Sequence, residues 1–206
     1  MKETRLRRCF ELSGVVPLGV YLIVHLVSYA RALLGSDEFG LVADPGLVLS
    51  ALELVVIWLP LGFHAAYGAW LATRALPEVR DEKQYALLMR VSGALALVFL
   101  VWHALWFSWP LKRGRIGPAD VAERLAATLS STSDGVPVVA ALHLIGLGVV
   151  CAHFGWGFAR FLEGWGVARA RPARLGAGLL SATLFGLGAA TLIELATGSI
   201  VPRFAR

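Results

Sequence analysis

The chain has 206 residues, of which 57% are hydrophobic and only 16% are charged, and its mean hydropathy is +0.69. A typical soluble domain is about 45–50% apolar and about 25% charged, so this composition argues against a soluble domain, a disordered chain or a fibre and indicates a membrane protein. Two cysteines exclude a disulfide framework, and we interpret the net charge of +5 as a cytoplasmic excess of Lys and Arg, with no nucleic-acid partner.

Five stretches are long and apolar enough to cross a bilayer, which takes roughly 20 mostly apolar residues. The first follows a basic N-terminus, but its apolar run exceeds the roughly 7–15 residues of a signal peptide, so we expect a retained helix. A turn signal, Asp44-Pro45-Gly46, precedes the second stretch, and Pro110 ends the third. The sequence therefore predicts an all-α membrane protein, with residues 1–206 forming one domain. The predicted spans 1 to 5 are residues 13–34, 47–73, 85–109, 136–161 and 175–196.

Charge in the connections predicts the orientation of the chain. The N-terminus and the connections after spans 2 and 4, counted with the helix ends, hold 12 of the 19 basic residues. Because cytoplasmic segments are enriched in Lys and Arg, we expect the N-terminus inside and the C-terminus outside. The connection after span 3, residues 110–135, is the longest, and its leucines at 125 and 129 repeat with helical spacing. It predicts an amphipathic helix on the outer surface.

All of the histidines lie within predicted spans, and none lies in a connection. Polar side chains are costly in the hydrocarbon core, so they usually face the interior of a bundle and serve a function there. One such histidine is explained by an interhelical hydrogen bond, but four of the five spans carry at least one. We therefore interpret these side chains as cofactor ligands. They are His25, His64, His103, His143 and His153.

Depth sorts four of these histidines into two pairs. Spans 1 and 3 run outward and place His25 and His103 in the outer half of the membrane, whereas His64 and His153 lie in the inner half. In an up-and-down four-helix bundle the first and third helices are diagonal, as are the second and fourth. Each pair therefore faces across the bundle and can hold iron, which predicts two haems at different depths, bound by a bundle of four of the five spans.

The local sequence repeats the same pairing. His64 and His153 are each followed four residues later by a glycine, Gly68 or Gly157, on the same face of the helix. A glycine at this position leaves room for a flat macrocycle beside the imidazole. Spans 1 and 3 share a Ser-Gly pair ahead of their histidines, Ser13-Gly14 and Ser92-Gly93.

Other metal chemistry fits the pattern less well. Zinc favours three or four clustered ligands, which pairs at two depths do not provide. Cys9 and Cys151 lack metal-ligand spacing, and neither belongs to a C-x-x-C-H motif for covalent haem attachment. The expected haem is therefore the non-covalent b type. His143 lies about 15 Å from His153 along the same helix, so it is a further outer candidate. Its alternatives are a hydrogen bond to an outer haem or quinone, or a plain interhelical bond.

Further motifs flank the histidines in four spans. They are Arg7-Arg8, Leu12-Ser13-Gly14-Val15-Val16-Pro17 and Tyr21-Leu22-Ile23-Val24-His25-Leu26, then Leu59-Pro60-Leu61-Gly62-Phe63-His64 with Tyr67-Gly68, then Arg90-Val91-Ser92-Gly93 with Trp102-His103, and finally His153-Phe154, Gly157 and Trp165-Gly166. Over residues 7–166 the chain resembles the single-chain, five-helix, di-haem cytochrome b subunit of succinate:quinone and quinol:fumarate oxidoreductases.

The resemblance implies the same two ligand pairs, His64 with His153 for the inner haem and His25 with His103 for the outer haem. The Trp165-Gly166 landmark, twelve residues after His153, favours that residue over His143. Two positions depart from the family pattern. Many members have a histidine where this chain has Phe10, and some fumarate reductases have a proton-conducting glutamate where it has Cys151. The second departure favours succinate oxidation.

The family implies a complex with an FAD-containing flavoprotein, which holds the dicarboxylate site, and an iron–sulfur protein. This chain would anchor both at the cytoplasmic face of a bacterial inner membrane. It would pass electrons through the inner and outer haems to a membrane quinone, for which we expect menaquinone. The alternatives are a di-haem subunit of a nitrate reductase or hydrogenase, or a haem-free transporter or scaffold.

Five polar residues are candidates for contacts with haem or quinone. Arg90, near the inner end of span 3, can pair with a haem propionate or can be an interfacial side chain. A quinone site needs groups that exchange protons near the electron donor. Glu53, Glu194, Asp37 and Glu38 all lie toward the outer side, as quinone-site candidates or as interface residues.

Overall fold

The computed structural model describes residues 2–34, 52–109 and 121–197, and within these ranges it contains helices and no β-strand. Five helical segments are long and apolar enough to cross a membrane. The all-α, five-span prediction is therefore confirmed. Several helices extend beyond the predicted apolar stretches, because polar residues continue the helices at their ends. The observed spans 1 to 5 are Arg5–Leu34, Leu54–Ala72, Arg80–Phe107, Val138–Gly164 and Ala170–Thr197.

Prolines shape spans 1 and 2. Span 1 is interrupted at Val16, between the helices Lys2–Val15 and Pro17–Ala30, because a proline cannot donate to the preceding turn. Spans 2 and 3 each contain a wide π-helical turn, Leu54–Trp58 and Ala104–Ser108. Each of these turns ends two residues before a proline in the sequence, Pro60 or Pro110. In span 2 the widened turn holds Val56, four positions before Pro60, whose carbonyl would otherwise clash with the proline ring.

Span 4 ends in a glycine-dependent cap. Gly166 adopts φ +68°, a left-handed conformation that side chains disfavour. Its backbone N–H donates to the carbonyl of Glu163 at 3.1 Å, and the N–H of Val167 donates to the carbonyl of Leu162 at 2.9 Å. These two bonds form a Schellman motif. The Trp165 indole N–H then donates to the Glu11 carboxylate at 3.0 Å and joins the ends of spans 4 and 1.

Spans 1 to 4 form a four-membered ring. Span 1 packs against spans 2 and 4, and span 3 packs against the same two spans. Spans 1 and 3 are therefore diagonal, as are spans 2 and 4. Span 5 lies outside the ring, where it packs extensively on span 4 and also contacts span 1.

Apolar clusters hold span 5 and the connecting helix in place. Leu26, Leu147, Cys151 and Leu184 form the buried cluster between spans 1, 4 and 5. The predicted amphipathic helix is present at Val121–Ser130. Its Leu129 packs against spans 1 and 5 and is only 2% exposed. Many other large apolar side chains are exposed along the spans, as expected where lipid covers the protein.

Candidate functional site

Four of the histidines come from four different spans, and their rings lie close together in two pairs. The imidazole centroids of His64 and His153 lie 6.3 Å apart, with their planes at 86°. Those of His25 and His103 lie 6.0 Å apart, with their planes at 87°. Each pair bridges diagonal spans, 2 with 4 and 1 with 3. We call them the inner pair and the outer pair.

The levels of the two pairs follow from the contacts of spans 1 and 3. Ser13 of span 1 contacts His64, and Ser92 of span 3 contacts His153. The outer histidines of these two spans lie twelve and eleven residues further along the chain. At about 1.5 Å per residue, the two levels are about 16–18 Å apart along the bundle.

Hydrogen bonds fix the proton position of His64. Its Nδ1 lies 3.1 Å from the Phe10 carbonyl oxygen and 3.2 Å from the Ser13 hydroxyl oxygen. A backbone carbonyl can only accept, and the serine hydroxyl donates to that same carbonyl at 2.8 Å. The histidine nitrogen therefore donates, which leaves the lone pair on Nε2 free in the neutral ring. The Phe10 ring also stacks on the imidazole, at a centroid distance of 4.3 Å.

His153 is held in the same way from span 3. Its Nδ1 lies 2.9 Å from Ser92 Oγ, and that hydroxyl donates to the Met89 carbonyl at 3.4 Å. The serine oxygen therefore accepts the Nδ1 proton, and Nε2 of His153 keeps its lone pair. Metal-binding histidines characteristically donate their second ring N–H to such a partner.

Two glycines allow the inner imidazoles to pack against neighbouring helices. A Cβ atom on Gly14 would lie 2.6 Å from Cε1 of His64, and one on Gly93 would lie 3.0 Å from Cε1 of His153. Both distances are shorter than a side chain tolerates without movement of the imidazole. The two Ser-Gly pairs of the sequence therefore support the inner pair, although each lies on a helix that carries an outer histidine.

The outer pair has a different set of partners. Nδ1 of His103 lies 3.3 Å from Nε2 of His143, and Nδ1 of His143 lies 2.8 Å from the Val139 carbonyl oxygen. Nδ1 of His25 lies 3.5 Å from the Tyr21 hydroxyl. His143 is thus an interhelical hydrogen-bond partner of an outer histidine, one of the alternatives that the sequence left open.

Both pairs have the separation that a single bridging metal requires. An imidazole nitrogen binds a metal at about 2.0–2.1 Å, and ring bonds of about 1.33 Å place that nitrogen about 1.1 Å from the ring centroid. Two imidazoles on opposite sides of one metal therefore have centroids about 6.3 Å apart. The observed 6.3 and 6.0 Å agree with this value. Among the described residues, no group of three or more His, Cys, Asp or Glu side chains is placed to bind a metal.

A continuous cavity of about 2190 Å³ lies between the spans and is lined by all five histidines. Typical small-molecule pockets have about 300–1,000 Å³, so this cavity has room for more than one large ligand. Gly68 and Gly157 also line it, on the helix faces of His64 and His153. The donor set, the centroid distances and this volume together fit two haem groups.

Of the other candidate residues, two line the cavity, one is buried in span 5 and two lie outside the described residues. Arg90 lines the cavity and donates from Nη2 to the Arg74 carbonyl at 2.9 Å. Glu53 also lines the cavity and accepts a 3.0 Å hydrogen bond from the Trp58 indole. Glu194 is 4% exposed within span 5. Asp37 and Glu38 lie outside the described residues.

Sequence reasoning missed the hydrogen-bond partners of the histidines. The sequence shows the Ser-Gly repeat ahead of His25 and His103, but no contact with a histidine was predicted from it. The available signal was spacing: each serine lies eleven or twelve residues, about 16–18 Å along the helix, from the histidine of its own span, which is too far for contact. This spacing indicates that each serine lies at the level of the other pair.

Paired histidines at two depths inside a transmembrane four-helix bundle define the class of protein as a cytochrome b-like membrane subunit. Over 176 aligned residues the chain is 31% identical to the succinate dehydrogenase cytochrome b558 subunit of Bacillus subtilis (strain 168). The alignment covers 81% of this chain and 82% of the relative. No family model and no solved structure matches the chain. The chain belongs to the family of succinate dehydrogenase cytochrome b subunits and is a multi-pass membrane subunit of that oxidoreductase complex.

Proposed function

We propose that this chain binds two haem b groups and passes electrons from the iron–sulfur subunit of succinate dehydrogenase to a membrane quinone. The observation that carries the proposal is the pair of centroid distances, 6.3 and 6.0 Å, each suited to one iron between two imidazoles. His64 and His153 would hold the inner haem, and His25 and His103 the outer haem. Bound haem supplies a one-electron redox centre whose potential depends on its axial ligands and their surroundings.

The residues of the chain orient the ligands and keep water away from them. Ser13 with the Phe10 carbonyl, and Ser92, accept the Nδ1 protons of the inner histidines and direct the lone pairs of Nε2 into the cavity. Apolar side chains make up most of the remaining wall. Such a wall lowers the local dielectric constant, which is one of the means by which a protein sets a haem potential.

The inner pair would lie toward the cytoplasm, where the flavoprotein and iron–sulfur subunits dock. This end of the bundle holds the N-terminal helix and the connections after spans 2 and 4, which are rich in Arg and Lys. Positive residues near a membrane surface favour the cytoplasmic side. The Glu11 to Trp165 hydrogen bond joins two spans at this end. Electrons would therefore enter through the inner haem.

Quinone reduction would take place near the outer pair. Glu53 is our candidate for proton delivery, since it lines the cavity directly before span 2, eleven residues from His64 and therefore about 16 Å further out. Menaquinone is the expected substrate. The buried Glu194 remains a further candidate, as do Asp37 and Glu38, which lie outside the described residues.

A measurement of haem content tests the proposal directly. Pyridine haemochrome analysis of the assembled complex should give two b haems per chain. Replacing His64 or His153 by Leu should remove one haem, and replacing His25 or His103 should remove the other. A value of one haem or none in the wild-type complex would contradict the proposal.

A further inference from the structure

His143 does not belong to either pair, yet it is 6% exposed in the interior of the membrane domain. It lies on span 4, ten residues before His153, and it contacts His103 of span 3. The rings of Phe99, Trp102 and Phe107 surround it, with centroid distances of 5.8, 4.8 and 4.8 Å. A polar side chain held among aromatic rings is costly unless its hydrogen bonds are made.

The hydrogen bonds of His143 run in one direction. The Val139 carbonyl can only accept, so Nδ1 of His143 carries a proton and donates at 2.8 Å. In the neutral ring, Nε2 is then an acceptor. Its neighbour 3.3 Å away, Nδ1 of His103, must therefore donate. The chain of bonds places the proton of His103 on Nδ1 and leaves its Nε2 lone pair free.

The same distance argues against His143 as an iron ligand opposite His103. Two nitrogens that bind one metal from opposite sides are about 4.0–4.2 Å apart. The 3.3 Å between Nε2 of His143 and Nδ1 of His103 is a hydrogen-bond distance. The other nitrogen of His143 is engaged by Val139. Neither nitrogen of His143 is therefore placed to share a metal with His103.

We infer that His143 is a positioning residue for the outer haem site, which fixes the tautomer and ring orientation of His103 and lowers the potential of the haem bound there. The inference rests on the proposed function. A hydrogen-bond acceptor on the second nitrogen of a ligating imidazole increases the basicity of the ligand. A more basic ligand favours ferric over ferrous iron. Loss of the acceptor should therefore shift the outer potential to a more positive value.

Redox titration of the complex, followed by optical spectroscopy, tests this role. In His143→Phe we expect two bound haems, a positive shift of the outer potential and an unchanged inner potential. Leu142→Phe is the matched control: Leu142 precedes His143 on span 4, is 47% exposed and is not among the residues that line the cavity. This control should shift neither potential. Two haems with an unchanged outer potential in His143→Phe would overturn the inference, as would an equal shift in the control.

Two further measurements test the inference even if the His143→Phe complex fails to assemble. His143→Gln retains an acceptor, so its outer potential should lie closer to the wild-type value than that of His143→Phe. In the wild type, 15N-labelled histidine in the reduced, diamagnetic complex should show coupling between two histidine nitrogens across an N–H···N bond. Absence of this coupling, or loss of the outer haem in both variants, would overturn the inference. A wild-type complex with fewer than two haems would instead contradict the proposed function.

Discussion

Ser92 and His153 are joined by a 2.9 Å hydrogen bond between Oγ and Nδ1, across the interface of spans 3 and 4. Span 3 also carries His103, so one helix supports the inner pair and supplies a member of the outer pair. Span 1 repeats this arrangement with Ser13 and His25. The two histidine pairs are therefore linked mechanically, because a shift of either helix moves a support of one pair and a ligand of the other.

Replacing Ser92 by Ala should weaken the inner haem site more than replacing Ser13. Ser92→Ala removes the hydroxyl that accepts the Nδ1 proton of His153, and loss of such a partner typically weakens metal binding about 10–100-fold. In Ser13→Ala, His64 keeps the Phe10 carbonyl as an acceptor at 3.1 Å. Haem content during detergent washing, and the potential of the inner haem, measure the difference. Equal retention of haem in both variants would contradict this order.

Adding a methyl group to either close-packed glycine should displace an inner histidine. The new Cβ of Gly14→Ala would lie 2.6 Å from the His64 ring, and that of Gly93→Ala would lie 3.0 Å from the His153 ring. We expect loss of the inner haem with retention of the outer haem, and a stronger effect at Gly14. Pyridine haemochrome analysis and low-temperature spectra measure this loss.

Gly186→Ala is the control for the glycine variants. It lies on span 5, where a Cβ would meet nothing within 4 Å. Replacing a glycine by alanine inside a helix favours the helix by about 0.5–1 kcal/mol, so this variant should assemble normally with both haems. Loss of haem in this variant would show that the glycine effects are not local to the histidines.

The architecture and the pairing of the histidines were predictable from the sequence, because both depend on periodicity and length. An apolar run of about 20 residues predicts a span, and a rise of about 1.5 Å per residue places each histidine at a depth. The structure brings the same side chains together, His64 with His153 and His25 with His103, and their role as iron ligands stays a prediction. The rotation of each helix about its axis was harder to predict, since each helix in the ring has two neighbours and the sequence does not show which of them a histidine contacts.

That rotation decides the partners of the second nitrogens. The sequence placed Ser13 and Ser92 on helices with outer histidines but did not show that they contact the inner pair. It also left three roles open for His143, because a residue at the right depth can face the iron, a neighbouring ring or another helix. The contact with His103 depends on the packing of span 4 against span 3. Such packing is tertiary information that helical spacing does not contain.

Replacing Glu53 by Gln should slow quinone reduction while both haems remain bound. The carboxylate lines the cavity toward the outer side and accepts a hydrogen bond from Trp58 at 3.0 Å. A positioned acid or base contributes about 10²–10⁴-fold to a proton-coupled step, and glutamine cannot exchange a proton. Succinate-driven reduction of a soluble quinone analogue measures the loss, with Trp58→Phe as the control for the hydrogen bond alone. Normal turnover in Glu53→Gln would exclude this residue as the proton donor.

Removing an outer ligand should separate electron entry from quinone reduction. In His25→Leu, the inner pair keeps both histidines and their hydrogen bonds, so succinate should still reduce the inner haem at the wild-type rate. Quinone reduction should fall sharply, because the outer haem would be missing between the inner haem and the quinone. Rapid-mixing spectroscopy follows both steps, and Val24→Leu is the control, since Val24 is a neighbouring residue that is 45% exposed. Normal quinone reduction by assembled His25→Leu complex would contradict an outer site and would indicate quinone binding near the iron–sulfur subunit.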